Sequence, residues 1–190
     1  MNYRESTGRL ADYRRQITDL REKMREVQAA IEPQEVRDYE FATPSGMVRL
    51  SALFGDKDTL FVIHNMGTGC ASCTMWADGF NGVFPHLRDR AGFVVSSPDT
   101  PERQREFAAG RGWKFPMVSI QGTTFAEDMG YRTNGKVMPG VSVFRRKGDR
   151  IMRVGDTAFN QGDDFCGVWH LLDLIPEGAA GWQPKFSYGR

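Results

Sequence analysis

Leu60-Phe61-Val62-Ile63-His64, then Gly67-Thr68-Gly69, then Cys70-Ala71-Ser72-Cys73: the reading of this stretch decides how the chain folds. The first segment is a continuous apolar run, the pattern of a strand covered on both faces. The glycine-bearing segment reads as a loop. Beyond it, Trp76, Phe80, Val83, Phe84 and Leu87 fall at helical spacing, which predicts a helix from Cys73 to about Arg90, weakened by Gly79, Gly82 and Pro85. Two thiols two residues apart at a helix start can close a disulfide across one turn. The unpaired amides there favour a thiolate on the first. Zinc sites share this spacing, so the tetrapeptide alone leaves redox and metal chemistry open.

Downstream, strands and helices alternate. Phe93-Val94-Val95-Ser96-Ser97 predicts a strand, and Pro101–Arg111 a helix that Thr100 caps. Met117–Ile120 is a short apolar run, and Thr123–Gly130 a short helix. Pro139 leads into Val141-Ser142-Val143-Phe144, Lys147-Gly148-Asp149 is a hairpin turn, and Ile151–Val154 returns. Asp164–Ile175 reads as a closing helix, and the tail after Pro176 as extended, with Trp182, Phe186 and Tyr188 available for packing. Upstream, Tyr39-Glu40-Phe41 alternates as a strand, followed by a turn at Pro44-Ser45-Gly46. This order predicts an α/β fold, a mixed central sheet flanked by helices.

The chain begins differently. Over about residues 6–32, Leu10, Tyr13, Ile17, Leu20, Met24, Val27 and Ile31 alternate spacings of three and four among charged neighbours, until Pro33 stops the run. That is an amphipathic helix with a heptad seam. The flanking Arg14, Gln16, Arg21 and Lys23 repel one another in a symmetric pair. The seam therefore reads as docking onto the globular part or a neighbouring subunit, with a homodimer through this helix as one outcome. The expected organisation is a helix at 1–33, a domain at 34–176 and a tail at 177–190.

Composition narrows the function classes. The 190 residues carry a formal charge of +1, which gives no basis for nucleic acid or an anionic membrane as partner. No apolar run reaches bilayer length, and Met1-Asn2-Tyr3-Arg4-Glu5 leads into charged sequence rather than a signal core, so a cytoplasmic location is expected. Three cysteines are too few for a secreted disulfide scaffold.

Several stretches together carry a family resemblance: Cys70-Ala71-Ser72-Cys73-Thr74-Met75-Trp76-Ala77-Asp78-Gly79-Phe80-Asn81-Gly82, Gly112-Trp113-Lys114-Phe115-Pro116, Pro139-Gly140-Val141-Ser142-Val143-Phe144 and Trp169-His170-Leu171-Leu172-Asp173-Leu174. Over about residues 8–180 the chain resembles a bacterial thioredoxin-like family of unknown function, described as predicted dithiol-disulfide oxidoreductases. Val48–Gly55 and Phe115–Ser119 resemble the peroxiredoxin-type branch of that fold. The resemblance implies a thioredoxin-like sheet and a Cys70–Cys73 redox pair. It also implies a cis peptide bond before Pro139 that aims the residue-138 backbone at a substrate.

The residues then sort into expected roles. Cys70 is the exposed nucleophile and Cys73 the resolving thiol. Gly69, Trp76, Met138 and Pro139 are the candidate substrate contacts, with Trp76 packing beneath the motif. The expected partners are a thiol or disulfide substrate and an electron donor, and no cofactor is expected. Metal binding or delivery is the rival, through His64, Cys70 and Cys73 or with Cys166. Cys166, among apolar neighbours, reads as core, and His86 and His170 as packing or surface residues. A weak thiol peroxidase, reducing peroxide slowly through Cys73, is a third reading. The peroxiredoxin-type pattern is Thr-x-x-Cys after a proline; here Cys70 stands in the threonine place and no proline precedes it.

Overall fold

Pro33 separates two units in the computed structural model, which describes residues 2–189. The first is helix α1, Tyr3–Ala29. It starts earlier than its seam because Asn2 caps it: the Asn2 side chain accepts from the Glu5 amide at 2.9 Å and Glu5 accepts from the Asn2 amide at 3.1 Å. No residue of α1 is buried.

The second unit starts with strands β1 (Gln34–Val36), β2 (Glu40–Thr43) and β3 (Gly46–Arg49) and a 3-10 turn at Leu50–Phe54. Strand β4 (Thr59–His64), helix α2 (Ala71–Arg90), strand β5 (Gly92–Ser97), helix α3 (Pro101–Arg111) and strand β6 (Met117–Ser119) follow. Helix α4 (Phe125–Asp128), a small hairpin of β7 (Arg132–Thr133) and β8 (Lys136–Val137), long strands β9 (Gly140–Lys147) and β10 (Arg150–Ala158), and helix α5 (Gly167–Leu172) complete it. Eight strands form one mixed sheet in the order β1-β10-β9-β4-β5-β6-β2-β3, and β4, β5 and β6 run parallel at its centre. This is the expected α/β arrangement. Among the described residues, no helix is long and apolar enough to cross a membrane.

Strand alternation splits the interior into two layers. Leu60 and Val62 of β4, Val94 of β5 and Phe144 of β9 pack on one face with Phe41, Leu50, Phe125 and Tyr131. Ile63, Phe93, Val95 and Val141 face the other side and meet Cys73, Trp76, Phe84 and Trp169, so α2 and α5 cover that face. Phe41, Phe54, Phe125 and Phe144 are fully buried, and each such side chain stabilises the fold by about 1.5–3 kcal/mol.

Local chemistry explains where expectation and structure part. Helix α2 runs unbroken through Pro85, one hydrogen bond short, because Phe84 and Trp76 anchor it to the core. Strand β1, with Gln34 and Glu35 before a single apolar Val36, carries no strand pattern and exists through antiparallel pairing with β10. Helix α5 is shorter than the expected Asp164–Ile175, because Asp163 closes turns with the amides of Asn160 and Phe165 at 3.0 and 2.9 Å before the helix begins. The tail turns through residues 176–181 rather than running extended. It then packs as its aromatics imply: Trp182 lies edge-on to Trp169 at 5.8 Å, and the Phe186 carbonyl accepts from Arg111 at 2.8 Å.

Candidate active site

Strand β4 ends at His64, and the next six residues deliver Cys70 to the N-terminus of α2. Each turn of that path is held. The Asn65 amide donates to the Ser96 carbonyl at 2.9 Å, its side-chain oxygen accepts from the Gly67 amide at 2.8 Å, and the Cys70 amide donates to the Gly67 carbonyl at 3.1 Å. Gly67 sits at φ +104, and a Cβ there would stand 2.9 Å from an Asp99 oxygen. Asp99, just past β5, accepts from the Thr68 amide at 2.9 Å, the Thr68 hydroxyl at 3.2 Å and the Ser97 hydroxyl at 3.0 Å. Arg103 adds a bond to the Thr68 hydroxyl at 3.2 Å.

Cys70 is therefore the N-cap of α2. Its sulfur accepts from the Cys73 amide at 3.1 Å, the position a serine or aspartate oxygen takes in an ordinary cap. The Cys70 thiol is half-buried, and its pKa is lowered to about 6. The largest cause is the hydrogen bond that the Cys73 thiol donates to it; burial opposes, and the Cys73 and Ser72 amides add to the lowering. Cys73 is shifted the other way: donating to Cys70 holds its proton on, and burial and the Cys70 charge add to this. The two are free thiols here, one poised as thiolate and one as thiol.

The other expected residues fall as follows. Gly69 is exposed beside Cys70. Trp76 is buried; its indole N–H donates to Asp163 at 3.2 Å and its ring tilts on Phe159 at 5.5 Å, so it lies beneath the motif rather than on an open face. Met138 is exposed and Pro139 half-buried, just before β9, whose register places Gly140 opposite His64. This puts the 138–139 segment at the same sheet end as the loop to Cys70. The bond before Pro139 is trans, since no cis peptide occurs among the described residues. The chain arrives extended from the β7–β8 hairpin, with the Met138 amide on the Tyr131 carbonyl at 2.7 Å, and trans geometry carries it straight into β9.

His64 does not join the cysteines. Strand alternation turns it into the opposite layer with Leu60 and Val62. There its ring stacks on Tyr131 at 4.0 Å and meets Ser142 through Nε2 at 2.9 Å. Burial, then the charge of Arg153, lowers its pKa to about 3, so it is neutral. The set His64, Cys70 and Cys73 is thus split by the sheet, and no group of three or more His, Cys, Asp or Glu converges among the described residues. Cys166 is buried at the start of α5, and burial raises its thiol pKa. His86 and His170 are exposed.

Asn65, Asp99, Arg103 and Asp163 went unread in the sequence. Asp99 and Asp163 bond residues 31 and 87 positions away, beyond the reach of local pattern. Asp99→Ala should cost about 2 kcal/mol, the scale of hydrogen bonds to a charged group, while Asp99→Asn should cost less. Urea unfolding, with Cys70 alkylation as a probe of loop order, checks this; an Asp99→Ala protein unfolding with the wild type would show that the loop needs no anchor.

A parallel β4-β5-β6 centre, an antiparallel β9-β10 hairpin beside it and a Cys-x-x-Cys capping the helix after the central strand together define a thioredoxin-like protein. Within that class, the chain belongs to the family described as bacterial protein of unknown function (DUF899), whose model matches residues 2–186. No curated protein matches it significantly. Among solved structures, it is similar to peroxidoxin BcpB from Mycobacterium tuberculosis, with 26% identity, a TM-score of 0.55, and 66% of this chain and 84% of that one covered. It is also similar to the Xanthomonas campestris bacterioferritin comigratory protein, with 18% identity, a TM-score of 0.54, and coverage of 63% and 80%. A putative protein disulfide isomerase from Bacteroides thetaiotaomicron gives 15% identity, a TM-score of 0.51, and coverage of 76% and 87%.

Proposed function

We propose that this protein is a dithiol-disulfide oxidoreductase of the cytoplasm. The observation that carries the reading is the opposite poise of two thiols on one helical turn, Cys70 toward thiolate and Cys73 toward thiol. The Cys70 thiolate attacks one sulfur of a substrate disulfide, forms a mixed disulfide and expels the other sulfur as a thiolate. Cys73 then gives up its proton, attacks the Cys70 sulfur, closes the Cys70–Cys73 disulfide and releases the second substrate thiolate. Two electrons pass from the pair to the substrate, and an external thiol donor restores the dithiol. Gly69, Met138 and Pro139 form the rim for an extended substrate, and Trp76 anchors its own helix α2 to the core beneath the motif.

Reduction of insulin by dithiothreitol tests this. Wild type should accelerate it, and Cys70→Ser should fall to the uncatalysed rate; a wild type no faster than Cys70→Ser sinks the reading.

The likeness to a peroxidoxin favours a second, slower reaction. Half-buried Cys70, rather than the Cys73 that the Thr-x-x-Cys pattern points to, would take one oxygen from a hydroperoxide, releasing the alcohol, and the sulfenic acid would condense with Cys73 to give the disulfide and water. Buried Cys73 is the poorer attacker, so Cys73→Ser should retain the first turnover of peroxide and Cys70→Ser should lose it.

A further inference from the structure

Helix α5 is apolar on both its inner and outer faces, with His170 as its one polar side chain. Cys166, Trp169 and Leu172 pack inward against the α2 layer. Facing out are Phe165, Val168, Leu171, Leu174 and Ile175, with Leu171 67% and Leu174 69% exposed. An exposed apolar patch of this kind marks an interaction surface. From Asp164 to Glu177 the chain carries three exposed acidic residues, Asp164, Asp173 and Glu177, and no Lys or Arg, with His170 lying 3.3 Å from Asp164.

Helix α1 carries the complement. Tyr13, Ile17, Leu20 and Met24 of its seam are exposed, and the positions bordering the seam hold Arg9, Arg14, Gln16, Arg21 and Lys23 with no acidic residue. Two such seams do not suit each other. In a parallel pair Arg9 meets Arg14 of the other helix, and in an antiparallel pair basic or neutral flanks face their own kind. An apolar seam with basic borders calls for an apolar seat with an acidic rim, and α5 is one.

We propose that the α1 seam of one copy seats on the α5 face of a second copy, reciprocally, to form a two-fold dimer. Such an interface is isologous and closes at two copies. It borders the candidate active site, because Phe165 packs on Phe159 at 4.8 Å and Phe159 on Trp76 at 5.5 Å.

Sedimentation equilibrium of the full chain tests this. Wild type should be a dimer. Leu171→Arg should give a monomer, with its exposed position leaving far-ultraviolet dichroism unchanged. Arg14→Glu with Arg21→Glu should weaken the dimer about tenfold or more, and adding Asp173→Arg with Glu177→Arg should restore it. A monomeric wild type overturns the proposal, as does a Leu171→Arg protein that dimerises like wild type. A dimer strengthened by Arg14→Glu with Arg21→Glu also overturns it, since only an α1–α1 pair relieved of its like charges would respond so.

Discussion

A Cys73→Ser protein should accumulate as a mixed disulfide with its partner, while Cys70→Ser accumulates none. With Cys73 gone, Cys70 still attacks but nothing expels the bound sulfur, so the adduct outlives the encounter. Non-reducing gels after exposure to a disulfide substrate read this directly. A companion variant isolates the cause of the poise. Cys73→Ala removes the thiol donor that chiefly lowers the Cys70 pKa, but keeps the amide at 3.1 Å. In wild type the rate of Cys70 alkylation should rise with a midpoint near pH 6. In Cys73→Ala the midpoint should climb by about one pH unit or more, as losing a hydrogen bond to an anion requires.

The same poise fixes a sign for stability. The Cys70 pKa is depressed on folding, so its contribution is fully present above the ordinary thiol pKa and is lost as pH falls through about 6. The Cys73 pKa is raised, so its contribution is lost only as pH climbs above the ordinary thiol value. Between those limits the reduced protein should gain stability with rising pH, and Cys70→Ser should gain less. Parallel denaturation curves across pH 6 to 8 for the two proteins would remove the thiolate from the account.

What could be read beforehand divides along physical lines. Strand β4, the glycine loop and α2 were legible because apolar run, loop and helical spacing succeed one another within about thirty residues and need no distant partner. Helix α3 was legible to the residue, since Thr100 and Pro101 specify its start: the Thr100 hydroxyl accepts from the Arg103 amide at 3.3 Å. Cys70 at a helix start was legible for the same local reason. His64 was not. Its alternation with Leu60 and Val62 is plain in the sequence, but which face of the sheet receives α2 is decided by tertiary packing. The polar scaffold of the site is likewise long-range, and the trans bond before Pro139 follows from how β8 hands the chain to β9. The seam of α1 was legible as a seam, because its alternation of three and four lies within one continuous segment.

The largest stability loss should come from adding one carbon at Gly140. Gly140 opens β9 directly after Pro139 and pairs with His64 on one side and Ala158 on the other. A Cβ there would overlap Cε1 of Tyr131 and stand 2.7 Å from the Thr157 carbonyl oxygen. The carbonyl belongs to the β9–β10 ladder and cannot move without breaking it. The Tyr131 ring is held as firmly: it stacks on His64 at 4.0 Å, and its hydroxyl lies 3.2 Å from both the Val141 carbonyl and Asp156. Tyr131 is nearly fully buried, so moving its ring disturbs close-packed neighbours. Gly140→Ala should therefore cost about 3 kcal/mol, the upper range for overpacking, and lower Tm by about 10 °C. Because the Met138 amide bonds the Tyr131 carbonyl, the shift should also disturb the 138–139 rim and slow disulfide exchange. Tyr131→Ala in the same chain removes the ring clash but not the carbonyl clash, so the double variant should cost less than the sum of its parts. A Gly140→Ala protein that melts with the wild type would show that Tyr131 and β10 yield freely, and that the stacked His64–Tyr131 pair does not hold the rim.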